Sequence, residues 1–378
     1  MRDSVSSPLP FIDLQQQRSR IANEIDTAIT RVLDHGAFIM GPEVTELEER
    51  LSQYCGTNHT ITCSSGTDAL LMALMAKDIG PGDAVFVPSF TFTSTAEAPA
   101  LLGATPVFVD VLPDTFNLDG ASLDNAVAAA TAAGLKPSCV ITVDLFGQPV
   151  NFSIIEAVAQ DHGIWILDDA AQSFGAQYKN QPIGTHALMT TTSFYPSKPL
   201  GCYGDGGAVF TDSEDLMRKL VSIRIHGQCQ TRSSSERIGL TARFDSIQAA
   251  ILLEKLKIFD DECQRRQSVV ERYNKGLAGH VKTPVLAENC VSVWTQYTIK
   301  HTKRESIVNT LSACGIPTAV FYAEPLHTQE PYMNFPLPDG GLPVTEALAK
   351  EVLSLPMHPY LDQETQDRII NAVLTAIS

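Results

Sequence analysis

Lys198 stands between two prolines in the run Ser193-Phe194-Tyr195-Pro196-Ser197-Lys198-Pro199-Leu200-Gly201. A lysine held by stiff backbone in an apolar stretch is partly desolvated. Its pKa falls, and its amine becomes available as a nucleophile. Taken alone, the same residue also reads as an ordinary solvated loop lysine. Asp168-Asp169-Ala170-Ala171-Gln172 follows the apolar run 164–167. A carboxylate at the end of a buried strand is costly unless a cation or hydrogen-bond donors meet it. A pyridinium nitrogen is a fitting partner for Asp169, whereas Asp168 reads as a helix N-cap. Ser64-Ser65-Gly66-Thr67-Asp68 sits just before a helical pattern. Free N–H groups at a helix start, a glycine that permits close approach and a hydroxyl suit a phosphate, and the same residues also suit a plain Ser/Thr cap.

For these groups to meet, distant segments must be brought to one edge. Helical and strand patterns alternate from about residue 43 to 215. Pro42-Glu43 opens a helix with Val44, Leu47, Leu51 and Tyr54 on one stripe, ended by Gly56. A second helix starts at Gly66-Thr67-Asp68, carries Leu70, Ala73 and Leu74, and stops at Gly80-Pro81-Gly82. Short apolar runs follow at 85–87, 106–109, 140–143 and 164–167, separated by Ala-rich or mixed segments such as 96–102 and 123–133. That alternation indicates a mainly parallel sheet covered on both faces. Such open sheets bind ligands at the ends of their strands. Gly204-Asp205-Gly206-Gly207 predicts a sharp turn into a strand at 208–210.

Beyond about residue 246 the pattern changes. One long helix is predicted over 247–277, then a strand-like run 291–300, a helix near 305–314, the segment 317–322 and a closing helix from Gln363. The fold class is α/β, with a large domain at 1–250 and a smaller α+β domain at 251–378.

The 378 residues carry 27 Lys plus Arg against 43 Asp plus Glu, a net charge of −16. That balance argues against general nucleic-acid or anionic-membrane binding, both of which need a positive field. An acidic ligand must instead meet a local cluster of cations. The eight cysteines and nine histidines are scattered and never form C-x-x-C or H-E-x-x-H, so neither a disulfide framework nor a metal site is indicated. The N-terminus lacks the apolar stretch of a signal peptide, and no apolar run is long enough to span a membrane. The expectation is a cytoplasmic protein. Nucleotide-binding and hydrolase motifs of the G-x-x-x-x-G-K-[ST], G-x-G-x-x-G and G-x-S-x-G types are absent.

Together these segments resemble the DegT/StrS-type nucleotide-sugar aminotransferases, which use pyridoxal 5′-phosphate on an aspartate-aminotransferase-like framework (fold type I). The resemblance runs from Pro10-Phe11-Ile12-Asp13-Leu14 to Ser354-Leu355-Pro356-Met357-His358-Pro359. Between them lie Gly41-Pro42-Glu43-Val44, Ser65-Gly66-Thr67-Asp68-Ala69-Leu70, Thr91-Phe92-Thr93-Ser94-Thr95-Ala96 and Leu145-Phe146-Gly147-Gln148-Pro149. The resemblance implies that residues 1–250 bind the cofactor. It implies that Lys198 forms the internal Schiff base and that Asp169 pairs with the pyridine nitrogen. Gln172 falls where a side chain meets the phenolic oxygen and Phe92 where a ring stacks on the pyridine. Gly66, Thr67 and Ser193 fall where the phosphate is held. The family's sugar dehydratases carry His in place of the lysine, so Lys198 argues against that branch.

The implied reaction moves the amino group of L-glutamate, which leaves as 2-oxoglutarate, to a keto-sugar. Residues 218–243 hold six basic side chains (Arg218, Lys219, Arg224, Arg232, Arg237 and Arg243) against Glu236 alone. A nucleotide diphosphate needs such cationic neighbours, while an ordinary basic surface helix is the plainer alternative. The polar stretch 228–236 reads as a mobile loop able to close over a sugar nucleotide. Arg224-Ile225-His226-Gly227-Gln228 and the run from Arg237 to Asp245 look most like the branch that aminates C3 of UDP-2-acetamido-2-deoxy-3-oxo-glucuronate. That step leads to diacetamido-uronic acids of bacterial surface polysaccharides such as O-antigen. Arg243 is the candidate for the uronate carboxylate. In the family this stretch reaches the neighbouring subunit's site, which implies a homodimer with shared active sites. Thr241 stands where the family usually has an Asn that helps bind the neighbour's phosphate. Tyr322, His327, His358 and Tyr360 resemble sugar-facing positions, or are packed core residues. A 3-keto- or 4-keto-6-deoxy sugar is the alternative substrate. A non-catalytic regulatory relative is the alternative of another class, against which Lys198, Asp169 and Gln172 all count.

Overall fold

The computed structural model describes residues 9–229, 231 and 233–378. Its centre is a seven-stranded mixed sheet. The strands in chain order are β1 (His59–Cys63), β2 (Asp83–Pro88), β3 (Thr105–Val109), β4 (Lys136–Val143), β5 (Trp165–Asp169), β6 (Met189–Ser193) and β7 (Gly207–Thr211). Their spatial order is β1-β7-β6-β5-β4-β2-β3. β3, β2, β4, β5 and β6 run parallel, whereas β7 is antiparallel to both its neighbours. The four apolar runs expected as strands fall in β2 to β5. Their side chains are buried on both faces, as crossover helices on each side demand.

The helices that matter for the site are α1 (Ala22–His35), α2 (Pro42–Cys55), α3 (Gly66–Ala76), α4 (Ser94–Leu101), α5 (Gly120–Ala132), α6 (Phe152–His162) and α7 (Glu214–Arg224). α2 begins with proline and ends at Gly56 in the left-handed region (φ 68°), the anticipated punctuation. Its apolar stripe Val44, Leu47 and Leu51 is fully buried. α3 lies on one face of the sheet, where Leu70 and Ala73 share a core with Leu167 and Val209. α5 and α6 cover the other face, where Leu123 and Ile155 share a core with Val140 and Ile166.

The long helix predicted over 247–277 is two helices, α8 (Ser246–Leu256) and α9 (Phe259–Leu277). The break is anchored by Asp260, Asp261 and Glu262 in the first turn of α9, where acidic side chains complement the helix dipole. α8 packs on α1 and α2. Its Ala249, Leu252 and Leu253 join the core of the large layer, as does Phe259. A second core gathers Val269, Tyr273 and Leu277 of α9 with a small antiparallel sheet, β8 (Tyr297–Lys300) and β9 (Val352–Leu355). α10 (Arg304–Ala313) and α11 (Gln363–Ile377) cover it. The division expected at residue 250 therefore falls inside α8, and we propose that the smaller unit begins partway along α9. The run 291–300 is also divided. Trp294 takes φ 50°, and Val293 and Thr295 donate their N–H groups to the Gly147 and Phe146 carbonyls.

Candidate active site

Three strand ends and one strand start converge at one edge. β5 ends on Asp169, β6 ends on Ser193, and β1 ends on Cys63, one residue before Ser64-Ser65. Antiparallel β7 begins there, with Gly207 paired to both Cys63 and Ser193. Segments far apart in sequence thus meet at the position an open α/β sheet offers a ligand.

Ser65 caps α3: its Oγ accepts from the Asp68 N–H at 3.0 Å. Ser64 Oγ donates to Asp68 Oδ2 at 2.5 Å. The amides of Gly66 and Thr67, the first two of the helix, have no intrahelical acceptor. The two readings of this segment are therefore complementary: the cap is present and leaves an anion-binding helix start beside it. Thr67 and Ser94 hydroxyls are paired at 2.7 Å. A Cβ on Gly66 would stand 2.7 Å from the Ser193 Cβ, and one on Gly207 would stand 2.8 Å from the Gly66 nitrogen. Both glycines are needed for the loops to close.

Asp169 is buried, with Oδ1 accepting from the Ala171 N–H at 3.1 Å. Burial pushes its carboxyl above the usual range, against the opposing pull of that N–H and the Lys198 charge. Lys198 is held by a turn in which its own N–H donates to the Tyr195 carbonyl at 2.8 Å. Burial lowers its ammonium below the ordinary lysine value, partly offset by Asp169. Each group is thus the other's electrostatic neighbour, and Lys198 Nζ has no hydrogen-bond or ion-pair partner among the described residues. Gln172 is buried, its Oε1 accepting from Phe146 N–H at 2.8 Å and its Nε2 turned toward the Tyr322 hydroxyl at 3.4 Å. That leaves an amide N–H of Gln172 free to donate. Phe92 is half exposed beside α4, its ring uncovered by the rest of the chain.

Other expected residues lie differently. His327 turns inward: its Nδ1 bonds the buried Ser89 Oγ at 2.7 Å, pinning the segment after Pro325 to the end of β2. Tyr332 does the same for α4, bonding Thr93 at 2.6 Å. His358 is enclosed with Asp13, Arg266 and Asp362 as its charged neighbours, none shared with Lys198 or Asp169. Burial lowers its pKa to about 4. Tyr360 donates to Glu262. Thr241 and Arg243 both point outward into solvent, with Thr241 Oγ1 3.0 Å from His226 Nε2. Asp168 caps no helix. It is buried on the opposite face from Asp169 and accepts from Thr142 Oγ1 at 2.9 Å.

The basic segment is largely self-neutralised. Arg218 pairs with Glu214 at 2.5 Å, and Lys219 with Asp78 at 3.3 Å. Arg224 is buried against Glu48 at 2.6 Å, and Arg237 lies 3.9 Å from Glu236. Arg232 lies outside the described residues, as does Gln230 of the polar loop. Arg243 is the one described cation of the set without an acidic partner.

Residues not singled out from the sequence include Asp144, at the end of β4, and Lys255 of α8. Asp144 ends an apolar run in the same way as Asp169, a signal that was available. Lys255 is a charge on the buried stripe of a helix, also a readable anomaly. Among the described residues no cluster of three or more His, Cys, Asp or Glu is placed to hold a metal ion. All eight cysteines are unpaired, and no described helix is long and apolar enough to cross a membrane.

The residues present fit pyridoxal phosphate: a helix start with two free amides, glycines that admit close approach, a buried carboxylate for a ring nitrogen, and a desolvated amine. Comparisons with known proteins agree. The model of the DegT/DnrJ/EryC1/StrS aminotransferase family matches residues 19–374. The chain is 46% identical over 368 residues, 97% of its length and 99% of the relative's, to the UDP-2-acetamido-2-deoxy-3-oxo-D-glucuronate aminotransferase of Pseudomonas aeruginosa. A DegT/DnrJ/EryC1/StrS aminotransferase from Brucella abortus superposes with a TM-score of 0.96 at 47% identity, covering 98% of this chain and 100% of that one. A putative sugar aminotransferase of Streptococcus pneumoniae, solved in its PLP form, superposes with a TM-score of 0.88 at 27% identity, covering 98% of both chains.

Proposed function

Because the chain belongs to the DegT/DnrJ/EryC1/StrS aminotransferase family and is a pyridoxal-phosphate-dependent enzyme, we propose that it moves the amino group of L-glutamate to C3 of UDP-2-acetamido-2-deoxy-3-oxo-glucuronate. The amine replaces the keto oxygen of the sugar, and 2-oxoglutarate departs. The observation that carries transamination is the partly buried Lys198 amine with buried Asp169 as its charged neighbour. The uronate is supported by the 46% identity to the Pseudomonas aeruginosa enzyme and by the unpaired cation of Arg243.

Pyridoxal phosphate supplies an aldehyde that bonds amines and a ring that draws electrons from the adjoining carbon. Gly66, Thr67 and Ser193 would hold its phosphate at the helix start. Asp169 would hold positive charge at the ring nitrogen, Gln172 would donate its free N–H to the phenolic oxygen, and Phe92 would cover one face. Lys198 Nζ, with its pKa lowered by burial, takes a proton from the substrate carbon and returns one as base and acid. Tyr322, beside Gln172, faces the sugar side.

Thr241 and Arg243 alternate with buried Ala242 and Phe244, so both project from one exposed face, which we take as the face that meets a second copy. In a homodimer they would complete the partner's site, Thr241 at the phosphate and Arg243 at the uronate carboxylate. A cytoplasmic homodimer that makes a diacetamido-uronic precursor of surface polysaccharide follows from this reading.

The test compares UDP-2-acetamido-3-oxo-glucuronate, made in situ, with 3-keto- and 4-keto-6-deoxy nucleotide sugars. L-glutamate is the donor, 2-oxoglutarate is the signal, and Lys198→Ala is the blank. Turnover of the uronate alone is expected. Turnover of a 6-deoxy sugar alone would overturn the substrate and leave the chemistry intact.

A further inference from the structure

Lys255 is 1% exposed, yet no carboxylate lies within ion-pairing distance of it among the described residues. Its Nζ donates to the Gly201 carbonyl at 2.6 Å and lies 4.2 Å above the centre of the Tyr203 ring. Glu262, the acid whose charge acts on it, is already engaged by Gln17 Nε2 at 2.9 Å and by the Tyr360 hydroxyl. Burying an ammonium without a counter-ion is expensive, so its location needs a reason. Gly201 supplies one, because it closes the loop that carries Lys198. A Cβ there would stand 2.6 Å from the carbonyl oxygens of both Tyr195 and Pro196. Next to it, Cys202 N–H donates to the Phe194 carbonyl at 2.8 Å.

The hold has a second point. Two turns earlier on the same face of α8, Gln248 Oε1 accepts from the Tyr203 N–H at 2.9 Å. Lys255 and Gln248 thus fix both ends of the short segment that follows Lys198, one through a carbonyl and one through an N–H. A cation is the stronger partner for a carbonyl, and the aromatic face of Tyr203 favours the same charge.

We propose that Lys255, together with Gln248, is a positioning residue that clamps the Lys198 loop onto α8 and so holds the Lys198 amine beside Asp169 for capture of the cofactor. The proposal rests on the reading of Lys198 as the cofactor-binding lysine. It assigns α8 a role at the site although none of its side chains reaches the reacting atoms.

The test uses the full chain freed of cofactor, in wild type, Lys255→Met, Lys255→Arg and Gln248→Leu. One reading is the dissociation constant for added pyridoxal phosphate. The other is the pH at which an amine-selective reagent half-modifies Lys198, located by peptide mass spectrometry. Lys255→Met is expected to bind the cofactor about tenfold more weakly, equivalent to about 1.4 kcal/mol. Its modification midpoint should move up toward that of an ordinary lysine as the loop loosens. Lys255→Arg, which keeps the charge, should recover part of both, and Gln248→Leu should move both less in the same direction. A folded Lys255→Met with wild-type affinity and an unchanged midpoint overturns the proposal. If Lys255→Met does not fold, Gln248→Leu decides on the same two readings. Borohydride trapping of the cofactor on wild type separates the premises: label on a residue other than Lys198 overturns the reading of that lysine and the clamp with it, while label on Lys198 with unmoved variants overturns the clamp alone.

Discussion

Replacing Asp144 by Asn should stabilise the cofactor-free protein, and the gain should grow with pH. Asp144 is wholly buried, accepting from Val150 N–H at 2.8 Å and Ser173 Oγ at 2.7 Å. Those donors do not offset the loss of water. Burial, with a smaller contribution from the charge of Asp169, pushes the carboxyl up to about 7 from 3.8. The folded state therefore binds a proton that the unfolded state has released throughout that interval. Stability is favoured at the acid end and declines as pH rises, by about 1.4 kcal/mol per pH unit and about 4 kcal/mol across the window. Asn carries no such proton. Its Oδ1 can accept from Val150, and its Nδ2 can donate to Ser173, so the geometry is kept. Urea unfolding of both proteins at pH 4, 5, 6, 7 and 8, at one protein concentration, gives the difference at each pH. The difference should be small at pH 4 and reach several kcal/mol by pH 8, on the order of the linkage worked above. A difference that stays flat, or shrinks with rising pH, would refute the reasoning.

Ser65→Ala removes the cap of α3 and should cost about 1 kcal/mol in the same unfolding assay. Gly66→Ala places a Cβ 2.7 Å from that of Ser193; it should cost about 1–3 kcal/mol and weaken pyridoxal phosphate binding, measured by equilibrium titration. Arg243→Gln should raise the KM for the uronate roughly ten- to a hundredfold, the loss of one charged hydrogen bond, with kcat little changed; equal KM values would remove Arg243 from the substrate. His358→Leu should narrow the loss of stability on acidification, because burial holds the ring's pKa at about 4. A histidine lowered in that way loses stability as pH falls from its ordinary value toward 4, and the leucine variant should lack that slope in acid unfolding.

Much of the fold was legible because its signals are local. β2 to β5 are apolar runs bounded by Gly, Pro or polar residues, and α2 carries its own punctuation. β1 and β6 were not anticipated. Their sequences, HTITC and MTTTS, are too threonine-rich to look like core until the sheet and the helices packed on it bury them. The 247–277 run looks like one helix by periodicity, and only the three acids at 260–262 mark the restart. The strand-like run 291–300 was divided by bonds to the turn at 145–147, which no local pattern shows. The basic segment shows the same limit for charge. Its count was readable, but Glu48 and Asp78, which neutralise Arg224 and Lys219, lie far away in sequence.

The adjacent pair Asp168-Asp169 shows why residue type and position were not enough at the site. On a strand, neighbours face opposite sides. Asp169 continues the face of Leu167, which shares a core with α3, and so meets the Lys198 charge. Asp168 continues the face of Ile166, which shares a core with α5 and α6, and meets Thr142 from the same register position of β4. No cation is among the groups that act on the Asp168 carboxyl. Burial and the nearby charge of Asp144 accordingly raise the Asp168 carboxyl well above its usual range. Burial raises both carboxyls, but one alternation gives only Asp169 the opposing pull of a lysine. A slip of one residue in the β4–β5 register would exchange them, placing the wrong carboxylate before the lysine. The Thr142–Asp168 hydrogen bond is therefore as much a part of the site's geometry as Asp169 itself, because it marks the register that aims Asp169.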